Sequence, residues 1–189
     1  MRTRLLELMI AFGILLSIGA CVASPKLVTW QEEVKLLDGR TIVVEQMKTC
    51  EGAYTGGNYA DCIARESWVT INLPELSAKP IVWHEHLFAI IVNIYNGKLF
   101  VVGSAPTQRE YKFYGDDKPL YISFIWENDH WKRIPFNEIP TAIYDTNMLL
   151  EAIPLGMKYL TRAKKESSEM NGDPRTAKQF RRLDPDFMK

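Results

Sequence analysis

Between Leu27 and Leu37 the apolar side chains Val28, Trp30, Val34 and Leu36 recur at every second position, and only Glu32 breaks the pattern. Period two places them on one face of a strand. Asp38-Gly39 follows, a pair that tolerates the positive φ of a two-residue hairpin turn, and the β-branched run Arg40–Met47 reads as the return strand. A two-residue loop pairs Leu36 with Thr41 and Val34 with Val43, leaving Ile42 and Val44 on the opposite face beside Lys35 and Glu33.

The pattern repeats downstream. Residues 50–62 (CEGAYTGGNYADC) read as a loop around Gly56-Gly57-Asn58, and Ser67–Leu73 as a strand stopped by Pro74. Ile81–Tyr95 is too long for one typical strand and is expected to bend near Trp83–His86 before the buried run Phe88–Tyr95. Asn96-Gly97 predicts a hairpin returning through Lys98–Gly103, followed by strands at Tyr111–Tyr114 and Leu120–Trp126. The turn Glu127-Asn128-Asp129-His130 leads into Trp131–Ile134, with Trp126 and Trp131 placed to pair across it. Past Pro135 and Pro140 the pattern predicts short helices, over Asn147–Ile153 capped by Asp145 or Thr146, resuming over Leu155–Lys165, and from Asp173-Pro174 to near Leu183. The fold class expected is mainly β, an antiparallel meander of sandwich or barrel type with short C-terminal helices. The division expected is a leader at 1–20, a tether at 21–26, a β-rich domain at 27–160, and a polar, solvated C-terminal tail with a short helix at 161–189.

Composition changes this picture little. The chain has 189 residues with 47% hydrophobic and 24% charged, which suits one globular domain. Lys+Arg and Asp+Glu both number 23, so no broad positive field exists to recruit nucleic acid, and that class of partner is set aside.

The N-terminus changes it more. Arg2 and Arg4 precede an uncharged run from Leu8 to Ala20, long enough for the apolar core of an export signal and short of the roughly 20 residues that span a bilayer. It ends in Ser17-Ile18-Gly19-Ala20-Cys21. This resembles the lipobox of bacterial lipoproteins, with an aliphatic residue at −3, small residues at −2 and −1, and then cysteine. The resemblance covers the first 21 residues and names no family for residues 22–189. It implies a diacylglyceryl group on the Cys21 thiol, cleavage after Ala20 and acylation of the new amino terminus. Val22, in place of an aspartate, implies the outer membrane, facing the periplasm, rather than the inner one. The membrane, reached through the lipid, is then the first partner, and another envelope protein or a cell-wall component the second. Two other readings of the segment are an uncleaved membrane helix and a secretory signal cut after Ala23; each puts the globular part outside the cytosol.

Of the three cysteines, lipid on Cys21 leaves Cys50 and Cys62, for which a disulfide is the natural assignment outside the cytosol. Two buried free thiols are the alternative.

His84-Glu85-His86 is the cluster with the most chemistry. In an extended strand His84 and His86 share a face and suit Zn²⁺ or Cu²⁺, with a third ligand from Asp116, Asp117 or His130. Two partly exposed histidines at a strand entrance are the plainer reading. No Gly-x-Ser-x-Gly elbow occurs, Gly56-Gly57 lacks the Lys-Ser/Thr of a phosphate loop, and Asp116-Asp117 before Pro119 is ordinary turn chemistry. The five tryptophans offer either core packing or a face for peptide, glycan or protein. The function expected is a non-catalytic binding or structural role in the envelope; the alternative is a small metal-binding protein or metal-dependent enzyme using His84 and His86, with no other cofactor.

Overall fold

The structure, a computed structural model, describes residues 26–54, 61–115, 120–150, 153, 156–167 and 180–186, with backbone alone at 52–54 and 61–62. It is mainly β, a sandwich of two antiparallel-rich sheets with a few short helices. The first sheet has the order β4-β3-β2-β1-β9, from β1 (Lys26–Lys35), β2 (Thr41–Tyr54), β3 (Asp61–Ile71), β4 (Ile81–Glu85) and the short β9 (Tyr159–Leu160), which runs parallel to β1. The second has the order β5-β6-β7-β8, from β5 (Phe88–Tyr95), β6 (Lys98–Ser104), β7 (Tyr121–Glu127) and β8 (His130–Ile134). Helix α1 (Gln108–Phe113) links β6 to β7, and α2 (Arg162–Glu166) follows β9.

The main core lies between the sheets, with Val34, Val44, Val69, Ile71, Ile81 and Trp83 facing Ala89, Val92, Leu99, Val101, Ile122 and Phe124. A second core covers the far side of the second sheet. There Phe100, Val102, Ile125 and Ile134 pack against Phe136, Ile139, Ile143, Tyr144 and Leu183, held on the 3-10 turns Phe136–Glu138 and Thr141–Ile143 and on the C-terminal segment. With both faces covered, β5 and β6 read as near-continuous apolar runs instead of alternating ones, with Asn93 the polar exception inside β5. A bulge between Ala89 and Ile91 keeps Ile90 in the second core, and the Ile90 carbonyl accepts the backbone N–H groups of both Asn147 and Met148.

The turns follow their residues. Asn96 (φ 49°) and Gly97 (φ 74°) close β5–β6, and Asn128 (φ 52°) and Asp129 (φ 61°) close β7–β8, both pairs in the left-handed region that a two-residue turn needs. Trp126 and Trp131 face each other across the latter at 5.3 Å and 64°. The expected bend in 81–95 is a full change of sheet at His86-Leu87, between β4 and β5.

The β1–β2 hairpin departs from expectation. Val34 pairs with Ile42 and Lys35 with Thr41, so the loop is three residues, with Gly39 at φ 92° and its N–H donating to the Leu36 carbonyl. One extra loop residue slips the register and turns the return strand over. Val44 is buried inside, whereas Val43, expected to face inward, is 40% exposed.

Other segments also differ. Tyr111–Tyr114, expected as a strand, lies in and just after α1, which Thr107 caps by accepting from the Arg109 N–H while Glu110 bonds back to the Thr107 hydroxyl. Residues 147–150 form no helix; they run as irregular chain against the edges of both sheets. The described part of the helix expected over Leu155–Lys165, residues 156–165, holds a short strand followed by α2. The Cys50–Cys62 stretch is partly strand, since β2 continues to Tyr54 and β3 begins at Asp61. The expected helix from Asp173 lies mostly outside the described residues. Described parts of 161–189, expected as solvated, are packed: Leu183 sits in the second core and Lys165 is wholly buried.

Two asparagines join the sheets at their edges. Asn147 Nδ2 donates to the Lys35 carbonyl (3.0 Å) on β1 and to the Val92 carbonyl (2.8 Å) on β5, while its Oδ1 accepts the Val92 N–H (3.0 Å). Asn93 Oδ1 accepts the Leu37 N–H at 2.8 Å. These side chains satisfy backbone groups that sheet edges leave open.

Candidate binding surface

The outer face of the first sheet has no covering layer among the described residues. Its odd-numbered β1 and β2 positions point outward, and the register places Thr29 beside Met47, Met47 beside Trp68, and Trp68 beside His84 in one row across four strands. Trp68 and His84 stack at 4.3 Å with 12° between their planes. A groove of about 580 Å³ opens on this face, lined by Thr29, Gln31, Glu45, Met47, Trp68, Thr70, Val82 and Lys158 among others. His84 covers one side of the Trp68 indole and does not line the groove, so Trp68 reaches it from its other side. The floor is apolar (Met47, Trp68 and the half-exposed Val82), and the rim carries the Gln31–Glu45 hydrogen bond of 3.1 Å. An apolar floor with a few convergent polar groups, at this size, is the usual form of a ligand site.

A second constellation sits where β4 ends and α1 packs. The Tyr114 hydroxyl donates to Glu85 Oε2 at 2.7 Å and accepts the His86 N–H at 3.0 Å. Burial, and next the hydrogen bond to the Glu85 carboxylate, push that hydroxyl well above the ordinary tyrosine pKa, so it stays protonated and donating. His86 Nδ1 lies 2.6 Å from the Arg65 carbonyl. A carbonyl only accepts, so Nδ1 carries the proton and Nε2 is left as the ring's other polar atom. Arg65 also holds Glu51 and, at 2.9 Å, the buried Glu110, to which Arg109 adds a 2.8 Å contact. Burial pushes the Glu110 carboxyl up, but hydrogen bonds from Thr107, its own backbone, Arg109 and Arg65 outweigh that and hold it below the usual carboxylate value.

A third polar group is fully internal. Glu32 and Lys165 are both 0% exposed and meet at 2.7 Å. Glu32 also takes the Gln46 amide and the Leu149 N–H (2.9 Å), and Lys165 donates to the Asn147 carbonyl (2.8 Å). Beside it a cavity of about 360 Å³ lies between the end of β1, Asn93, Asn147 and α2.

The sequence-derived candidates divide accordingly. His84 belongs to the outer-face row and His86 to the β4–α1 junction, so the two histidines take different partners. His130 stands at the β7–β8 turn with Nδ1 on the Asn128 carbonyl, and Asp116 and Asp117 lie outside the described residues. Among the described residues no three metal-ligating side chains come together. Cys50 is buried and disulfide-bonded; the side chain of Cys62, the proposed partner, and the whole of Cys21 lie outside the described residues. No described helix is long and apolar enough to cross a membrane. The sequence reading missed the Arg65–Glu110–Tyr114 junction, although Thr107-x-x-Glu110 is a capping-box signature that marks α1. It also missed Lys165, while Glu32 had already stood out as the charged exception on an apolar face. Comparisons with known protein families, with curated proteins and with solved structures return no match.

Proposed function

We propose that this protein is a cell-envelope lipoprotein, anchored through lipid on Cys21 at the outer membrane and facing the periplasm, whose β sandwich acts by binding an envelope protein or wall component. The observation that carries the anchor is the sequence Ser17-Ile18-Gly19-Ala20-Cys21 at the end of an uncharged run. Two or three acyl chains on one residue give stable attachment where a single chain gives only marginal binding. The disulfide at Cys50 fits the oxidising compartment that export implies, and Cys62 is its proposed partner. Mass spectrometry of the purified protein tests the anchor: the mature N-terminal peptide carries acyl mass, and Cys21→Ser abolishes both that mass and membrane sedimentation. A processed protein without lipid mass would overturn it.

What supports the binding role is the outer-face groove with its apolar floor and polar rim. Cross-linking in intact envelopes, followed by detergent extraction, captures the partner, and Trp68→Ala reduces that capture while leaving the melting temperature nearly unchanged. Equal capture with Trp68→Ala would move the binding surface elsewhere.

A metal site is the second reading, favoured by one observation. The Nδ1 of His86 is fixed on a backbone carbonyl, the arrangement that commonly orients a ligating imidazole through its other nitrogen. Elemental analysis after loading with Zn²⁺ or Cu²⁺ decides it. Equal metal content in the native protein and in His84→Ala/His86→Ala excludes these ligands.

A further inference from the structure

We infer that the end of the sandwich carrying Lys26 rests on the bilayer that holds the anchor, and that Phe113, Leu27 and Ile63 are its lipid contacts; this rests on the proposed lipidation of Cys21. The argument starts from covalent reach. Five residue steps separate Cys21 from Lys26, the first residue of β1, and a chain that short spans at most about 18 Å even fully extended. A lipidated Cys21 sits at the membrane surface, so the start of β1 cannot stand far from it. The rigid sandwich then has its Lys26 end turned to the lipid.

The register defines that end. Lys26 pairs with Cys50, Cys50 with Ala64, and Glu51 with Ile63. Helix α1 is pinned beside them by the Arg65–Glu110 ion pair at 2.9 Å and the Arg109–Glu51 approach at 4.0 Å. Three of the large hydrophobic side chains that the protein exposes occur here: Phe113 at 71%, Leu27 at 56% and Ile63 at 45%. Phe113 is the most exposed large hydrophobic side chain among the described residues, and its ring lies edge-on to His86. Next to it Lys112 is exposed, as is Lys26 next to Leu27, each with an apolar stem and a charged head that reaches the headgroup layer.

Charge decides what kind of contact this is. Arg65 and Arg109 are matched by Glu51 and Glu110, and Glu85 offsets part of the charge of the exposed Lys26 and Lys112, so the described residues at this end come close to balance. Attraction to anionic lipid is therefore a small part of the contact. The exposed apolar groups enter the interface, held at high local concentration by the anchor. A short tether and an apolar rim act together, each too weak alone to fix the orientation of the domain.

The test uses the lipidated full chain in vesicles of phosphatidylethanolamine and phosphatidylglycerol. An environment-sensitive fluorophore is placed on Phe113→Cys, and in a separate sample on Leu37→Cys, which is also exposed but lies beyond the far end of β1, about 30 Å away. Both sites are on the surface, so circular dichroism matches the native protein. A spin-labelled lipid as quencher dims the Phe113 label at least about twofold more than the Leu37 label, with similar values in neutral vesicles. Equal quenching at the two sites, with acyl mass present on Cys21, overturns this inference and leaves the lipoprotein reading standing. Absence of acyl mass overturns both. Shielding of the Phe113 label that disappears as protein is diluted at fixed lipid assigns the patch to a second copy of the chain and overturns the lipid contact.

Discussion

The two sheets of the sandwich treat their outer faces in opposite ways. The second sheet is buried on both sides, by the first sheet and by the layer built on Phe136, Ile143, Tyr144 and Leu183. The first is buried on one side, and its other side shows Met47, Trp68, Val82 and His84 to solvent. Their inner faces differ too. The second sheet turns mainly apolar side chains to the shared core, with Arg133 of β8 reaching Tyr114 at its margin, whereas the first carries the buried Glu32, Gln46 and Lys48 along β1 and β2. That polar strip lies by the edge where the C-terminal segment, with Leu149, Leu160 and Lys165, completes the packing. One sheet thus acts as scaffold, and the other presents a surface while depending on a distant piece of chain to close its inner face.

The strongest way to break this arrangement is to remove Lys165. Lys165→Ala leaves Glu32 charged, buried and without its cation, and breaking a buried pair costs about 3–5 kcal/mol. Urea denaturation reads the loss as a lower midpoint. The double variant Glu32→Leu/Lys165→Met recovers most of it, because apolar replacement of a whole buried pair is often neutral or better. A Lys165→Ala protein as stable as the native one would mean that the C-terminal segment is not docked on β1.

The scaffold sheet gives the next effect. Leu99 is 0% exposed in the shared core, and Leu99→Ala costs about 2–5 kcal/mol through lost burial and the cavity left behind. Gly103→Ala on the same strand costs about 1–3 kcal/mol by overpacking, since an added Cβ would lie 2.9 Å from the Leu87 side chain. Thermal melts of the two variants should fall in that order.

How far these features were legible in the sequence depends on how local their causes are. Asn96-Gly97 and the Asn128-Asp129 turn announce themselves, because the residues that accept positive φ are few. The doubly buried sheet shows as the apolar run Phe88–Tyr95, and the Trp126–Trp131 pair as two rings flanking a turn. Asp38-Gly39 marks a turn but not its length: a glycine at positive φ serves a three-residue loop as well as a two-residue one, and the difference inverts a strand. Aromatic composition made 111–114 look extended, while the cap at Thr107 decided for helix. The partners of Glu32 are farther still, with Lys165 133 residues away, and no local pattern reaches that distance. The candidate surfaces were hardest, since the groove is a property of register across four strands and the β4–α1 junction joins residues from β3, β4 and α1.

The junction offers a smaller effect that depends on pH. The Glu110 carboxyl titrates below the ordinary value near 4.5, so its contribution to stability is complete above that value and is lost as pH falls through the lowered one. Native protein therefore loses melting temperature as pH is taken down from 4.5, part of it through this group, and Glu110→Gln flattens that part of the profile. An identical slope in native and Glu110→Gln protein would show that Arg65 and Arg109 do not hold the carboxylate in solution.

The smallest effect is the sharpest test of the difference between the sheets, because it asks which face of β2 is which. Val43 and Val44 are neighbours of identical chemistry, one 40% exposed on the outer face and one 0% exposed in the shared core. Replacing valine by threonine keeps the β-branched shape and exchanges a methyl for a hydroxyl, so the backbone preference for strand is retained. On the outer face water satisfies the hydroxyl, and Val43→Thr stays within about 0.5 kcal/mol of native. In the core the hydroxyl must find a partner among apolar side chains, and Val44→Thr costs about 1–3 kcal/mol. A two-residue turn at Asp38-Gly39 would reverse the pair, because a slip of one residue carries every side chain of the strand to the other side. Paired urea titrations of the two variants thus read the register of β1 against β2, and with it whether the row from Thr29 through Met47 and Trp68 to His84 is a surface open to a partner.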